Sequence, residues 1–297
     1  MKPGIIIFVM SIVASICLKA QTNEKIFLTK FGSGRVYLLS EVQRNVNAVI
    51  LIGSTPEIYN EFVPDGTFPT ATNAFLWQIN GKNILFDTGF GRFLIDNLQS
   101  IKVKAEDIDA ICISHMHGDH IGGLLRDDQV VFPNAALYLA QPEYDYWMSD
   151  EAMNQMPEKA RGGFSFARKV IEAYKDRLHL FEPKAIDSPN HEELWPGIKP
   201  IAAFGHTPGH TMYLLESGND KFLIWGDVTH AMVVQMPYPE KITTTYDTNR
   251  EESIQSRLEV LQYVSKHAIP IAGMHIVYPG MGIVEKSNPG YRFIPAK

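Results

Sequence analysis

A six-residue stretch carries most of the side chains in this chain that could do chemistry. It is the sequence HMHGDH at residues 115–120, with three imidazoles and one carboxylate. Neutral imidazole and carboxylate are ligands that zinc and similar divalent ions take. His115 and His117 point the same way along an extended backbone, while Asp119 and His120 turn towards a second point. The stretch therefore predicts ligands for two metal ions.

The flanking residues place this stretch on a strand-to-helix turn. Residues 108–114 (IDAICIS) are apolar and β-branched and predict a buried strand, and residues 121–125 predict the start of a helix. Open α/β sheets bind their ligands at the carboxyl ends of strands. The alternative is a solvated, histidine-rich surface loop, which explains four such donors in six residues poorly.

Further residues of the metal-binding type follow other predicted strands. They are His206 and His210 in the turn GHTPGHT, Asp227 after an apolar run, and His275 after another. A hairpin is predicted over residues 73–86, with Asn-Gly as its turn. Its second strand ends at Asp87. That acid either orients a ligand histidine or caps a turn, and the sequence leaves both open.

The rest of the chain alternates strands with helices in both halves. Helices are predicted over residues 92–107 and after a capping box at 248–251. The aromatic segment 143–177 is predicted to be helical and interrupted by the Gly pair at 162–163, and it forms either a pocket wall or a peripheral helical pair. Residues 61–72, rich in Pro, Gly and Thr, predict a loop. This plan predicts two packed αβ layers.

Composition excludes some classes of function. The chain has 297 residues, 45% hydrophobic and 20% charged, which are ordinary globular values. A net charge of −6 without a clustered basic face speaks against nucleic acid as a partner. Cys112 lies inside the predicted strand and is expected in the core, not at a metal.

The first twenty residues predict a secretory signal peptide, cleaved after Ala20. Lys2 is followed by the apolar stretch 5–18, which is too short for a comfortable membrane span. The mature protein is expected to be exported, periplasmic or extracellular, without stable membrane insertion and without an internal disulfide. An uncleaved anchor, a buried first strand or lipidation at Cys17 are the alternatives.

The order of the motifs resembles the metallo-β-lactamase fold. HMHGDH is followed by GHTPGHT, by Gly-Asp and by a strand that ends in a histidine, over most of residues 30–295. Longer strings, such as PGIKPIAAFGHTPGHT at 196–211 and WGDVTHAMVVQ at 225–235, resemble the branch that contains methyl parathion hydrolase. The resemblance implies an α/β fold, the αββα sandwich, in a single domain over residues 21–297.

The resemblance also implies a ligand set for two divalent metal ions. The residues are His115, His117 and His210 for the first ion, Asp119, His120 and His275 for the second, and Asp227 as the bridge between them. Zinc is expected, and Mn, Co or Fe fit the same ligands. His206 is expected to be structural, and His230 receives no role.

The function implied is that of a secreted dinuclear hydrolase. A hydroxide shared by two metals would attack a phosphotriester, lactone or ester. Asp119 and Asp227 would be the catalytic carboxylates, and Trp147 and Phe164 would line a pocket for an apolar substrate. One alternative is an acyl-homoserine lactone lactonase with only promiscuous phosphotriesterase activity. Another is a non-catalytic metal-binding protein of the same fold. The sequence leaves a homodimer open.

Overall fold

The computed structural model describes residues 25–297, so the predicted signal peptide lies outside the described residues. The strands in this range are Ile26–Phe31 (β1), Gly34–Asn47 (β2), Leu51–Ile52 (β3), Thr67–Ile79 (β4), Lys82–Phe86 (β5), Ala110–Cys112 (β6), Leu125–Arg126 (β7), Gln129–Val130 (β8), Ala136–Ala140 (β9), Leu178–Phe181 (β10), Ile198–Ala202 (β11), Thr211–Ser217 (β12), Asp220–Ile224 (β13), Thr243–Thr244 (β14), Ile271–Ala272 (β15), Met281–Lys286 (β16) and Tyr291–Pro295 (β17). The α-helices are Pro56–Phe62 (α1), Leu94–Ser100 (α2), Gly118–Ile121 (α3), Gln141–Met148 (α4), Asp150–Gln155 (α5), Arg161–Tyr174 (α6), Met232–Gln235 (α7) and Arg250–His267 (α8).

Most strands belong to two mixed sheets. The first sheet has the order β1-β2-β4-β5-β6-β9-β10, and the second has the order β11-β12-β13-β15-β16-β17. In the first sheet β5, β6, β9 and β10 run parallel, and in the second β13 runs parallel to β15. The carboxyl ends of these parallel strands supply the edge on which the functional loops are built.

The two sheets pack face to face between outer layers of helices. Side chains alternate along a strand, so on β4 Phe75 and Trp77 join the core between the sheets, while Ala74 and Leu76 face the first helical layer. The helices α2, α4 and α6 cover the first sheet, and α8 covers the second. This confirms the predicted αββα sandwich. Within residues 25–297, no helix combines the length and the apolar character that crossing a bilayer requires.

The predicted hairpin is confirmed as β4 and β5, but the loop prediction before it was wrong. Residues 67–72 extend β4 because they pair with the long tail of β2. The helix predicted over 92–107 is shorter, since α2 ends at Ser100 and Lys102 adopts a φ of +63°. A left-handed residue cannot continue an α-helix, so the chain turns there.

Two further boundaries differ from prediction. The helix of the histidine loop begins at Gly118, inside the motif, not after it. The aromatic segment divides near Pro157, since α5 ends at Gln155 and the following residues are extended. Gly162 and Gly163 lie in the first turn of α6, where glycine is tolerated because that turn lacks backbone acceptors for its N–H groups.

Candidate metal centre

Loops from both sheets meet at one edge of the sandwich. The HMHGDH loop follows β6, the GHTPGHT turn leads into β12, Asp227 follows β13 and His275 follows β15. In the first loop the backbone is extended at His117, with φ −67° and ψ 153°, and becomes helical in the single turn of α3. This change from extended to helical backbone separates His115 and His117 from Asp119 and His120.

The carboxylate of Asp227 lies at the middle of a ring of imidazoles. Its Oδ2 atom lies within 3.0–3.7 Å of five imidazole Nε2 atoms: His275 at 3.0 Å, His230 at 3.1 Å, His120 and His206 at 3.3 Å, and His115 at 3.7 Å. All six side chains are buried. One carboxylate thus faces donors from both sheets.

Two groups of donors lie on either side of Asp227. In the first, Nδ1 of His117 lies 2.9 Å from Nε2 of His115 and 3.1 Å from Nε2 of His206. In the second, the carboxylate oxygens of Asp119 lie 3.7 Å from Nε2 of His120 and from Nε2 of His275. Within each group the donor atoms all lie within 4.8 Å of one another, close enough to share one cation.

The donor atoms fit divalent metal ions. Nε2 of His120 and Oδ1 of Asp227 are buried and have no hydrogen-bond partner, an arrangement that costs about 1–3 kcal/mol per atom unless a ligand satisfies it. Burial, together with the charge of His206, lowers the pKa of His117 to about 3. Its imidazole is therefore neutral, the form that binds a metal.

The structure corrects the predicted role of the GHTPGHT histidines. His210 is absent from both donor groups: its Nδ1–H donates to the Ala203 carbonyl at 2.9 Å, and its Nε2 accepts the Asp227 N–H at 2.9 Å. His206 lies in the ring instead, 2% exposed. Although burial opposes protonation, hydrogen bonds to Asp227 and Asp247 raise its pKa to about 9.

The local sequence carries no signal that separates these two histidines. Gly205 has a φ of +114°, and a Cβ there would lie 2.1 Å from the Ser253 amide nitrogen. The turn therefore packs its backbone directly on the start of α8. Asp247, which accepts the Nδ1–H of His206 at 2.9 Å, lies 41 residues further along the chain.

Other groups anchor the second nitrogen of His120 and of His275. Asp87, in the left-handed region with a φ of +55°, accepts from Nδ1 of His120 at 2.7 Å. The same carboxylate accepts from the backbone and the hydroxyl of Ser114, at 2.7 and 2.6 Å. Nδ1–H of His275 donates to the Ala71 carbonyl at 2.8 Å. These contacts leave the Nε2 atoms directed at Asp227.

A buried carboxylate joins the two histidine loops. Glu143, on α4, is fully buried. It accepts hydrogen bonds from the Met116 amide at 2.9 Å, the Trp147 indole at 2.6 Å, the Thr207 hydroxyl at 2.6 Å and the Gly209 amide at 3.0 Å. Burial raises the pKa of Glu143 against these hydrogen bonds, which lower it. In place of a cation, four hydrogen-bond donors from α4 and from the two histidine loops surround its oxygens.

A cavity of about 350 Å³ opens onto the centre. His117, Asp119, Asp227, His230 and His275 form its polar floor. Its walls are mainly apolar or aromatic: Val46, Ile50, Phe68, Phe90 and Tyr246, with Arg44. Such a mixture is typical of small-molecule sites.

The predicted pocket aromatics lie elsewhere. Trp147 and Phe164 are 5% and 1% exposed, and their ring centroids lie 4.6 Å apart in the core between the helices and the first sheet. Trp147 reaches the centre only through an edge contact with His117 at 5.8 Å. The paired strands β2 and β4 supply part of the wall instead, because residues 42–47 and 67–72 pair with each other beyond the ends of β1 and β5. Residues 61–72 were predicted to be a loop, so this part of the wall was not predicted from the sequence.

His230 is a second residue at the centre that received no role from the sequence. Its ring stacks on His275, with centroids 4.5 Å apart and 26° between planes. Its backbone N–H donates to Oε1 of Gln235 at 2.7 Å, which fixes the loop after Asp227. His230 lines the cavity and adds a donor beside the two groups.

Comparison with known sequences gives one family. The model of the metallo-beta-lactamase superfamily matches residues 67–266. Ribonuclease Z of Borreliella afzelii (strain PKo) is 36% identical over 81 residues, which are 27% of this chain and 22% of that protein. The chain thus matches about a fifth of the length of this curated relative.

Two solved structures share nearly the whole architecture. The hydrolase AbOPH of the beta lactamase superfamily has a TM-score of 0.81 and 25% identity, over 92% of this chain and 98% of that one. The dizinc quorum-quenching lactonase AidC, solved with the product N-hexnoyl-L-homoserine, has a TM-score of 0.80 and 26% identity, over 92% and 97%. With a family match over two thirds of its length and the centre described above, this chain belongs to the metallo-beta-lactamase superfamily.

Proposed function

We propose that this protein is a metal-dependent hydrolase that opens a lactone or cleaves an ester with two divalent metal ions. The observation that carries the proposal is the pair of donor groups on either side of Asp227, with two buried polar atoms unsatisfied. One group is His115, His117 and His206, and the other is Asp119, His120 and His275. Zinc is the proposed metal, and the similarity to a dizinc lactonase supports it.

The residues divide the work of hydrolysis between them. When bound, two divalent ions lower the pKa of water and polarise the oxygen of the scissile bond. Asp227 would lie between the ions as their shared carboxylate. Asp119 has a side chain that is 25% exposed and lines the cavity. It is therefore placed to orient the attacking water and to accept its proton.

The cavity favours a substrate with an apolar part. Phe68, Val46 and Ile50 form one side of it, directly beside the polar floor. The similarity to a lactonase that holds an acylated homoserine product supports a lactone or ester. The phosphotriester alternative rests on the sequence strings that resemble the methyl parathion hydrolase branch, and it shares the same metal chemistry.

The test compares two substrates with purified protein of known metal content. An acyl-homoserine lactone and an aryl dialkyl phosphotriester are hydrolysed in parallel. For a lactonase, kcat/KM for the lactone should fall in the usual range of about 10⁴–10⁸ M⁻¹s⁻¹, far above that for the phosphotriester. The reverse ranking would assign phosphotriester hydrolysis. Two bound metal ions with neither activity, nor any on simple aryl esters, would contradict the proposal and favour a non-catalytic metal-binding protein.

The variant His117→Ala tests whether the proposed metal centre is required for activity. His117 lies in the first donor group and lines the cavity, so the variant should lose turnover and bound metal while it keeps its fold. Full activity in this variant would contradict the two-metal centre. His179→Ala, which changes an exposed histidine of β10, is the control.

We further propose that the protein is exported, with cleavage after Ala20. Support comes from Lys2 followed by the apolar stretch 5–18 and a small residue before Gln21. The N-terminal sequence of the protein recovered from its producing cells is the direct test.

A further inference from the structure

The cavity contains a cation that the proposed chemistry does not use. We propose that Arg44 binds an anionic group of the substrate, so that the preferred substrate is a lactone or ester carrying a carboxylate or another anion beyond its apolar part. This inference rests on the proposed function, which names the scissile bond but not the charge of the molecule that carries it.

Strand register places Arg44 close to the metal centre. Arg44 of β2 pairs directly with Thr70 of β4, and such pairs have Cβ atoms about 4.5–5.5 Å apart. The hydroxyl of Thr70 donates to the His275 carbonyl at 3.4 Å, and the next carbonyl, of Ala71, accepts Nδ1–H of His275 at 2.8 Å. The Cβ atom of Arg44 therefore lies beside Thr70, on the strand whose backbone contacts His275.

The same face of the β2–β4 pair supplies the apolar part of the wall. Val46 pairs with Phe68 two residues beyond the Arg44–Thr70 pair. Side chains two residues apart share a face of a strand, and all four line the cavity. The wall thus presents an apolar patch beside a guanidinium, which matches a substrate with an apolar segment and an anionic end.

Arg44 is free to bind such a group. Its side chain is exposed, and within residues 25–297 it has no hydrogen bond or ion pair. Among the residues that line the cavity it is the one Lys or Arg. The carboxylates there, Asp119 and Asp227, face the imidazoles instead.

A second guanidinium adds positive charge at the same rim. Arg92 lies over the ring of Phe90, 5.1 Å from its centroid, and Phe90 lines the cavity. Arg92 is exposed, so a second guanidinium lies next to the cavity and adds to the attraction of Arg44 for an anion.

The experiment compares two esters that differ in one charge. They are para-nitrophenyl hexanoate and mono-para-nitrophenyl adipate, which share the leaving group and the length of the acyl chain. With the metal-loaded wild type, kcat/KM should be higher for the adipate. In Arg44→Gln that preference should fall by about three- to tenfold, the range for a partly exposed guanidinium–carboxylate pair, while kcat/KM for the hexanoate should fall by a smaller factor.

Arg35→Gln is the matched control. Arg35 lies on the same strand, is also exposed, and pairs with Gln78 at the far end of the β2–β4 pair. The Arg35→Gln variant removes the same charge, and Arg35 does not line the cavity. An equal loss of preference in both variants, or no preference in the wild type, would overturn the assignment of Arg44.

A binding measurement separates failure of this inference from failure of the proposed function. Hexanesulfonate, an anion that binds metals weakly, is titrated calorimetrically into the metal-loaded wild type and both variants. Its affinity should fall by about three- to tenfold in Arg44→Gln alone, even if neither ester is hydrolysed. Hydrolysis of hexanoate with equal sulfonate affinity in all three proteins would leave the hydrolase standing and overturn the anion site.

Discussion

Three imidazoles of the centre are held by the nitrogen that faces away from Asp227. His120 uses Asp87, His206 uses Asp247 and His275 uses the Ala71 carbonyl. A proton on Nδ1 leaves Nε2 as a lone pair directed at the centre. The residues that bind Nδ1 therefore decide whether Nε2 can act as a ligand. Substituting one of them should lower the affinity for metal.

Asp87→Asn should weaken metal binding by about 10–100-fold, the usual effect of losing an outer anchor. The asparagine amide can still accept from the Ser114 N–H, but its NH₂ group would face Nδ1 of His120, where the carboxylate now accepts a proton at 2.7 Å. His120 would then carry its proton on Nε2, which blocks that nitrogen as a ligand. Competition with a chromogenic chelator gives the affinity.

The control for Asp87→Asn is Asp96→Asn, which changes an exposed carboxylate in the first turn of α2. It should leave metal affinity unchanged. Equal affinity of the Asp87 variant and the wild type would show that the acid serves only the turn.

The two histidines of GHTPGHT should respond differently to removal. His206→Ala removes a member of the first donor group and should lower bound metal from two ions towards one, with loss of turnover. His210→Ala removes two hydrogen bonds to backbone and should cost about 1–3 kcal/mol of folding free energy while both ions remain. Metal content by mass spectrometry and urea unfolding give the two quantities.

The opposite result, with metal lost in His210→Ala and kept in His206→Ala, would restore the ligand set expected from sequence. Only the three-dimensional structure distinguishes the roles of His206 and His210. Both are histidines of one Gly/Pro turn, and the partner that selects His206 is Asp247, far along the chain. By contrast, the HMHGDH residues, Asp227 and His275 were recognisable because each follows an apolar strand.

Among the secondary-structure elements, α4 has a role that its aromatic sequence hides. Its Glu143 ties the histidine loop, through Met116, to the GHTPGHT turn, through Thr207 and Gly209. A buried carboxylate without a cation is stable only when its oxygens are fully hydrogen-bonded. The helix therefore sets the distance between the two loops that carry His117 and His206.

Glu143→Ala should cost about 3–5 kcal/mol of folding free energy, because it leaves several buried donors without an acceptor. Glu143→Gln keeps one accepting oxygen and should cost less, but its NH₂ would oppose the Gly209 N–H or the Met116 N–H. Denaturant unfolding gives both values. Glu151→Ala on α5, an exposed position, is the control. A Glu143→Ala variant as stable as the control would show that the loops hold their places unaided.

The elements that the sequence predicted correctly are those with a signal in neighbouring residues, such as a turn or a helix cap. The hairpin of β4 and β5 turns at Asn80 and Gly81, which have φ of +51° and +75°, as its Asn-Gly sequence requires. The helix α8 is capped by Asn249, whose side chain accepts the Glu252 N–H and which lies one residue from the predicted cap. The extension of β4 back to Thr67 has no such signal, since only pairing with β2 makes that segment a strand.

At the scale of the whole molecule, the centre joins the two sheets. The first sheet supplies the HMHGDH loop, and the second supplies the loops with His206, Asp227, His230 and His275. The core between the sheets is apolar. At this edge the buried polar ring adds to backbone hydrogen bonds between the sheets, such as that of the Asn73 N–H with the Met274 carbonyl and that of the Thr211 N–H with the Ser114 carbonyl. Ions bound there would add further connections between the loops of the two sheets.

Removal of metal should therefore lower the stability of the whole fold. A ligand that binds only the folded state, at about 100 times its Kd, stabilises by about 2.7 kcal/mol. For a domain of this size that corresponds to roughly 5–10 °C in Tm. Thermal unfolding followed by circular dichroism, with and without EDTA, should show this difference in the wild type and in His179→Ala.

The shift should shrink in His120→Ala, which removes an imidazole of the second donor group. Asp227→Asn should reduce it further, because the carboxylate between the two groups serves both. A Tm that EDTA leaves unchanged in a wild type shown to contain metal would mean that the ions do not connect the sheets. In that case the hydrogen bonds of the ring and of Glu143 would hold this edge of the sandwich together without metal.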